Sequence, residues 1–172
     1  MKNFLRSTLC MATVLGSGCA SDMTELGDST IEVKTETNVR AQIIFANRGT
    51  VSVTDGIVHV RDQTFRFRLT EPNGELAGSM ELLHNADLEL ATNLGVGYGL
   101  IVSMDTADGI FAGDYAGDVV NTAGGQLFDG EFQTDATMVP RNRHLRGTFS
   151  NHATGSLNVF NLATTYTQPA DH

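Results

Sequence analysis

Tryptophan is missing from this chain of 172 residues, and with it one common group for stacking and anchoring ligands. Basic residues are scarce. Lys and Arg number 11 against 20 Asp and Glu, a net charge of -9, and the only two lysines are Lys2 and Lys34. Sequence-independent nucleic-acid binding needs a basic footprint, so no nucleic-acid partner is expected. The same balance disfavours adsorption of the folded domain to an anionic membrane surface. There are two cysteines, Cys10 and Cys19. Cys10 lies in an N-terminal apolar run and leaves with it, so no intrachain disulfide is expected and the core alone must stabilise the domain. No G-x-S-x-G elbow, Walker loop or dinucleotide glycine loop occurs. Outside the N-terminus, no window of helical length carries an apolar stripe.

What is present begins with a targeting segment. "MKNFLRSTLCMATVLGSGCAS" has a basic start (Lys2, Arg6), an apolar run from Thr8 to Leu15 and then small residues, the three regions of a secretory signal. Two cleavages stay open. Gly18 and Ala20 suit a general signal peptidase, whereas "LGSGC" resembles a bacterial lipobox ending in Cys19. In the usual lipobox Leu stands three places before the cysteine; Gly16 takes that place in this chain. Cys19 is the expected lipidation site. The resemblance to bacterial lipoproteins implies an outer-membrane or surface location, since Asp does not follow the cysteine; free export to the periplasm or medium is the alternative. The expected division is a signal over 1–19, a polar tether over 20–37 with room for a short strand near its end, a domain over 38–168 and a tail over 169–172, the length suiting one domain.

From Asn38 onward the chain alternates between strand and tight turn. In "TFRFRLT", Phe65, Phe67 and Leu69 face one way and Arg66 and Arg68 the other. "LAGSMEL" sets Leu76, Gly78, Met80 and Leu82 against Ser79 and Glu81, and "ADLELAT" sets Leu88 and Leu90 against Asp87 and Glu89. Asp55-Gly56, Asn73-Gly74, Asp108-Gly109 and Gly124-Gly125 supply the positive φ that short hairpins require. The pattern predicts about eight or nine strands in an antiparallel meander.

A short unit recurs as "LAGSM", "FAGDY", "FDGEF" and "LRGTF", and Gly113, Gly130 and Gly147 are evenly spaced. Glycine inside a strand marks a bend, a bulge or the close approach of another group. A sheet curling into a small barrel needs such places, and closure removes edge strands. The expected fold is therefore all-β: a single antiparallel up-and-down β-barrel of about eight strands, with a β-sandwich as the alternative. "GIFAGDYAGDV" and "GGQLFDGEF…LRGTFS", within Gly109 to Ser150, resemble the glycine-aromatic strands of allene oxide cyclase-like barrels, a pattern dirigent proteins share in looser form. The resemblance implies an eight-stranded barrel with an apolar cavity and carries no catalytic residues over.

The remaining chemistry-bearing residues read as structural. His59, His84, His144, His152 and His172 are scattered without metal-ligand spacing and are expected as solvated or rim residues; no metal and no cofactor are expected. Asp105/Asp108 and Asp114/Asp118 lack the ligand ladder of a calcium loop. Asp108 suits a turn, and Asp114 and Asp118 suit a solvated face. "PRNRHLR" concentrates Arg141, Arg143, His144 and Arg146. It reads as an anion site or as a hairpin whose arginines offset nearby acids. Arg66 and Arg68 are expected opposite Glu81 and Glu89. By strand parity the inward set holds Phe65, Phe67, Met80, Tyr98, Tyr115, Phe128, Phe132 and Phe149. In a hollow barrel Phe67, Tyr98, Tyr115 and Phe132 would line an apolar ligand site, the tyrosines offering its polar groups. The expected function is non-catalytic binding of a small apolar ligand or an envelope interaction module, with membrane contact only through the lipid anchor. The alternatives are a cofactor-free cyclase or isomerase, with Tyr98 and Tyr115 orienting the substrate, and a purely structural surface protein. Oligomeric state stays open.

Overall fold

The computed structural model describes residues 32–138 and 142–169. The signal segment with Cys19, the first part of the tether, and Arg141 lie outside the described residues. Nine strands follow in order: β1 (Glu32–Ala46), β2 (Thr50–Thr54), β3 (Ile57–Thr70), β4 (Gly78–Glu89), β5 (Leu94–Thr106), β6 (Gly109–Thr122), β7 (Gly125–Ala136), β8 (His144–Ser150) and β9 (Val159–Pro169). Every neighbouring pair is antiparallel, and β1 pairs with both β9 and β3. The sheet therefore closes in a ring of eight strands, with β2 attached to β3 beside it.

Closure depends on β1 and β2 sharing one edge of β3. β1 pairs with the second half of β3, Phe65 to Thr70, and β2 with the first part, Ile57 to Arg61. Between them the Asn47 carboxamide oxygen accepts from the amides of Thr64 at 2.7 Å and Gly49 at 3.2 Å. Opposite, Asp62 takes a positive φ of 55° where the β3–β4 register shifts between Val60 and Gln63, a bulge that bends the strand. Asp55 and Gly56, at φ 51° and 79°, make the tight β2–β3 turn.

The sheet begins earlier than expected. Residues 32–37, placed in the tether from the sequence, belong to β1 and pair with β9 from Glu32↔Pro169 to Thr37↔Thr164. Their polarity is that of a strand with one solvated face. Thr35, Thr37 and Val39 are the more buried positions there and Lys34, Glu36 and Asn38 the exposed ones; threonine suits a half-buried pleated surface.

One end of the barrel is packed shut. Leu69, Leu76, Met104, Phe111 and Leu145 meet there, each at most 2% exposed. Burying a side chain of this size is worth roughly 1.5–3 kcal/mol. The other end, where the β6–β7 turn and the β8–β9 connection lie, carries the rings of Phe65, Phe128, Phe149 and Phe160, each only partly buried.

The interior glycines form a belt. Cross-strand register places Ala86, Gly97, Gly117, Gly130 and Phe149 in one row across β4 to β8. The adjacent row runs His84, Gly99, Tyr115, Phe132 and Gly147. Large rings thus sit next to bare backbone. A Cβ at Gly97 would stand 2.7 Å from Phe128 Cζ and 2.9 Å from His84 Cε1. At Gly113 it would run into the carbonyl oxygen of Gln133, on the neighbouring strand.

Tyr98 corrects the parity assigned from the sequence. It is 37% exposed on the outer face, because Gly95, Gly97 and Gly99 take the inward positions of β5 and Leu94, Val96, Tyr98 and Leu100 turn outward. Leu90 also departs: it follows the end of β4 and is 55% exposed, while Leu88 is buried. Arg66 pairs with Glu81 at 2.8 Å, but Arg68 stands opposite Ser79, and Glu89 opposite Ile57. In an antiparallel pair with Arg66 opposite Glu81, Arg68 must face Ser79, and the one-residue shift at Asp62 cannot bring Glu89 to it.

Gly97→Ala is expected to destabilise the barrel by about 1–3 kcal/mol through overpacking. Gly124→Ala, whose Cβ meets nothing nearer than 4.0 Å, is expected to be neutral or slightly stabilising. Urea unfolding of both variants checks this; equal midpoints would contradict the packing role of Gly97.

Candidate functional site

The wide end opens into a cavity of about 370 Å³, inside the range of roughly 300–1,000 Å³ typical of small-molecule sites. Its walls are mostly aromatic and aliphatic: Phe65, Phe67, Phe128, Phe132, Phe149 and Phe160 with Ile43, Met80, Leu82 and Ile101. The rings meet edge to face. Phe128 and Phe149 lie 4.8 Å apart at 68°, and Tyr115 and Phe149 lie 5.9 Å apart at 77°. Each such pair adds about 0.5–1.5 kcal/mol beyond its area. Gln63, Gln126 and Asn158 also line the cavity and supply polar groups.

Within this apolar wall stands one buried polar pair. His84 projects inward from β4 in phase with Met80 and Leu82, and is 5% exposed. Its Nδ1 is 2.8 Å from the Tyr115 hydroxyl, and the two rings are nearly parallel at 10°. The same hydroxyl is 3.5 Å from the Leu83 carbonyl oxygen. Burial lowers His84 from 6.5 to about 4 and raises Tyr115 above the usual phenol range. Both groups are therefore neutral at pH 7. A base that weak and an acid that weak move protons poorly at neutral pH; the pair is suited to holding a polar group in place.

Of the residues expected at the site, Phe67, Tyr115 and Phe132 line the cavity. Tyr98 does not: its hydroxyl donates to Asp87 Oδ2 at 3.2 Å on the outer face, and the Arg61 guanidinium lies 5.9 Å from its ring centre. Asp87 also meets His59 and Arg61, each at 2.6 Å. Its partial burial would raise its pKa, but those hydrogen bonds outweigh burial and hold the carboxyl below the ordinary range. Cys19 is outside the described residues. His84, read from the sequence as a solvated or rim histidine, is the residue missed. The signal was its phase: Met80, Leu82, His84, Ala86 and Leu88 occupy alternate positions on the inward side of β4.

Two basic side chains of the arginine-rich segment, Arg143 and His144, meet acidic residues. Arg143 donates to the Asp108 carbonyl at 2.6 Å and lies 3.4 Å from its carboxylate. His144 meets Asp135 at 2.7 Å. Asp108 also accepts from the Tyr166 hydroxyl, so this turn residue ties the packed end together. Asp114 and Asp118 lie exposed on the outer face of β6. Among the described residues no group of three or more His, Cys, Asp or Glu side chains is placed to hold a metal ion.

No family model matches the chain, and neither a curated protein nor a solved structure matches it.

The depressed pKa of His84 sets a pH dependence. The unfolded ring binds a proton below about 6.5 and the folded ring only below about 4, so the unfolded state holds more protons between those values and stability falls as pH is lowered across that window. The loss is on the order of 3 kcal/mol. In His84→Gln that part of the slope is expected to vanish. Denaturant unfolding of both proteins at pH 7 and at pH 4.5 compares them; an identical acid sensitivity would contradict a neutral buried His84.

Proposed function

We propose that this chain is an exported, lipid-anchored β-barrel protein that takes a small apolar molecule into its interior. The observation that carries the reading is the cavity of about 370 Å³ at one end of an otherwise packed barrel, with the neutral His84–Tyr115 pair as its buried polar spot. An apolar pocket with a few fixed polar groups is the usual form of a small-molecule site. Export and anchoring rest on the signal segment and Cys19.

The cyclase or isomerase reading rests on the resemblance of Gly109 to Ser150 to allene oxide cyclase-like barrels. Of its two orienting tyrosines, Tyr115 borders the cavity and Tyr98 lies outside. With His84 and Tyr115 both poor at proton transfer, binding without turnover is the better-supported reading.

A second reading, an envelope interaction module, draws on the outer face of β5. Leu94, Val96, Leu100 and Val102 are each about half exposed there, in line with Tyr98. Asp118 and Asp114 stand opposite Val96 and Leu100, and among the described residues neither has a cationic partner. An apolar stripe edged by carboxylates that lack cationic partners fits a protein partner whose apolar edge is flanked by basic side chains. An amphipathic Leu/Lys peptide is a suitable probe. Binding that weakens with salt and is lost in Leu100→Ser supports the outer-face reading; equal binding by wild type and variant removes it.

The interior reading is tested by native mass spectrometry of the protein released gently from its own cell envelope. A discrete extra mass that is lost on denaturation, and absent from Ile43→Trp with its blocked cavity, is expected. The denatured protein is expected to begin at an acylated Cys19. A bare polypeptide mass in wild type, together with no uptake of the neutral apolar dye N-phenylnaphthylamine, would overturn the ligand reading; an unacylated chain would overturn the anchor.

A further inference from the structure

The polar pair fixes more than a location, because its hydrogen bonds determine what His84 offers to the cavity. The Tyr115 hydroxyl has two acceptors within reach. His84 Nδ1 stands at 2.8 Å and the Leu83 carbonyl at 3.5 Å. An O–H···O bond is ordinarily about 2.5–3.0 Å long, so the carbonyl is too far to take the proton well. The alternative, Nδ1–H donating to the hydroxyl, would leave the phenol proton only that long contact. The arrangement that satisfies both groups has the Tyr115 O–H donating to a bare Nδ1. A neutral imidazole then carries its proton on Nε2.

Among the described residues that second nitrogen has no protein partner. Among the described residues the only sealed side-chain atom lacking a hydrogen bond is Glu71 Oε2. His84 Nε2, which also lacks a protein partner, is therefore not sealed, and the ring borders the cavity. An N–H donor thus borders a largely apolar chamber whose other polar side chains, beyond Tyr115, are the carboxamides of Gln63, Gln126 and Asn158.

The lining restricts what can accept from it. Among the described residues no lysine or arginine borders the cavity, so a carboxylate or phosphate would enter with its charge uncompensated. At His84 an ammonium or other pure donor would set hydrogen against hydrogen. A hydrocarbon would leave the N–H unpaired or force a trapped water. The geometry points to a ligand class: neutral, largely apolar molecules carrying one acceptor oxygen, such as a ketone or ester carbonyl, which takes the hydrogen bond from His84 Nε2. The inference rests on the ligand reading of the cavity given above. An engineered cavity of about 150 Å³ admits a benzene ring, so this one accommodates a bicyclic molecule.

Two probes of nearly equal shape isolate the hydrogen bond: acetylnaphthalene and ethylnaphthalene, substituted at the same ring carbon. Calorimetric titration of the wild-type protein is expected to show the ketone binding about tenfold tighter than the hydrocarbon. The preference is expected to disappear in His84→Phe while ethylnaphthalene still binds, and to shrink in Tyr115→Phe, where Nδ1 is released and the tautomer is no longer held. The infrared carbonyl band of acetylnaphthalene bound to the wild type needs no variant. It is expected below its position in hexane, as for a hydrogen-bonded ketone. Equal affinities with an unshifted band would overturn the acceptor assignment and leave the apolar cavity standing. Failure of both probes to bind would overturn the ligand reading itself, and this inference with it.

Discussion

The His84 ring lies between the Tyr115 hydroxyl and the bare backbone of Gly97, and the interior of the barrel depends on the side chain that is missing there. An eight-stranded barrel has an interior just wide enough for side chains to fill. Six phenylalanines and a histidine–tyrosine pair fit into its open half only where other inward positions are empty. Gly97, Gly117 and Gly130 stand side by side on three neighbouring strands, and Gly99 and Gly147 flank the Tyr115–Phe132 pair. Rings on one wall occupy the space that side chains on the other do not.

That exchange of volume also sets the chemistry. Rings packed edge to face around His84, with Phe65 at 5.6 Å and Phe128 at 5.6 Å, bury most of it, and that burial lowers its basicity. A buried neutral imidazole needs a partner for each nitrogen. Tyr115 serves one; the cavity faces the other. At the opposite end Arg143 and Tyr166 converge on Asp108 over a layer of fully packed aliphatic side chains. The barrel is thus closed and tied at one end and chambered at the other.

Much of this fold was legible in the sequence where both faces of a strand followed the simple rule. In β6, Tyr115 turns inward as expected, in phase with the buried Phe111 and Val119 and opposite to the exposed Asp114 and Asp118. The Asp55-Gly56 hairpin declared itself through its turn chemistry. β5 was misread because glycines took its inward positions, which left the strand's large apolar residues on the outside; alternation alone points to the wrong face when the buried side is built from absent side chains. The start of β1 was legible only as a short strand at the end of a tether, because Thr35 and Thr37 look like linker when their partner on β9 is unknown. His84 was missed because a lone histidine in sequence carries no sign of burial, although its phase with Met80 and Leu82 placed it inward. Whether the barrel was filled or hollow depends on a small difference between large volumes, which no local pattern encodes.

The most direct measurement of the account is a long-range proton–nitrogen correlation spectrum of the His84 imidazole at pH 7. The account predicts a single neutral tautomer, protonated on Nε2, with Nδ1 shifted as a hydrogen-bond acceptor, and the same spectrum at pH 5.5. A ring that averages between tautomers, or that gains a proton near the ordinary histidine value of 6.5, would contradict a buried neutral imidazole held by the Tyr115 bond.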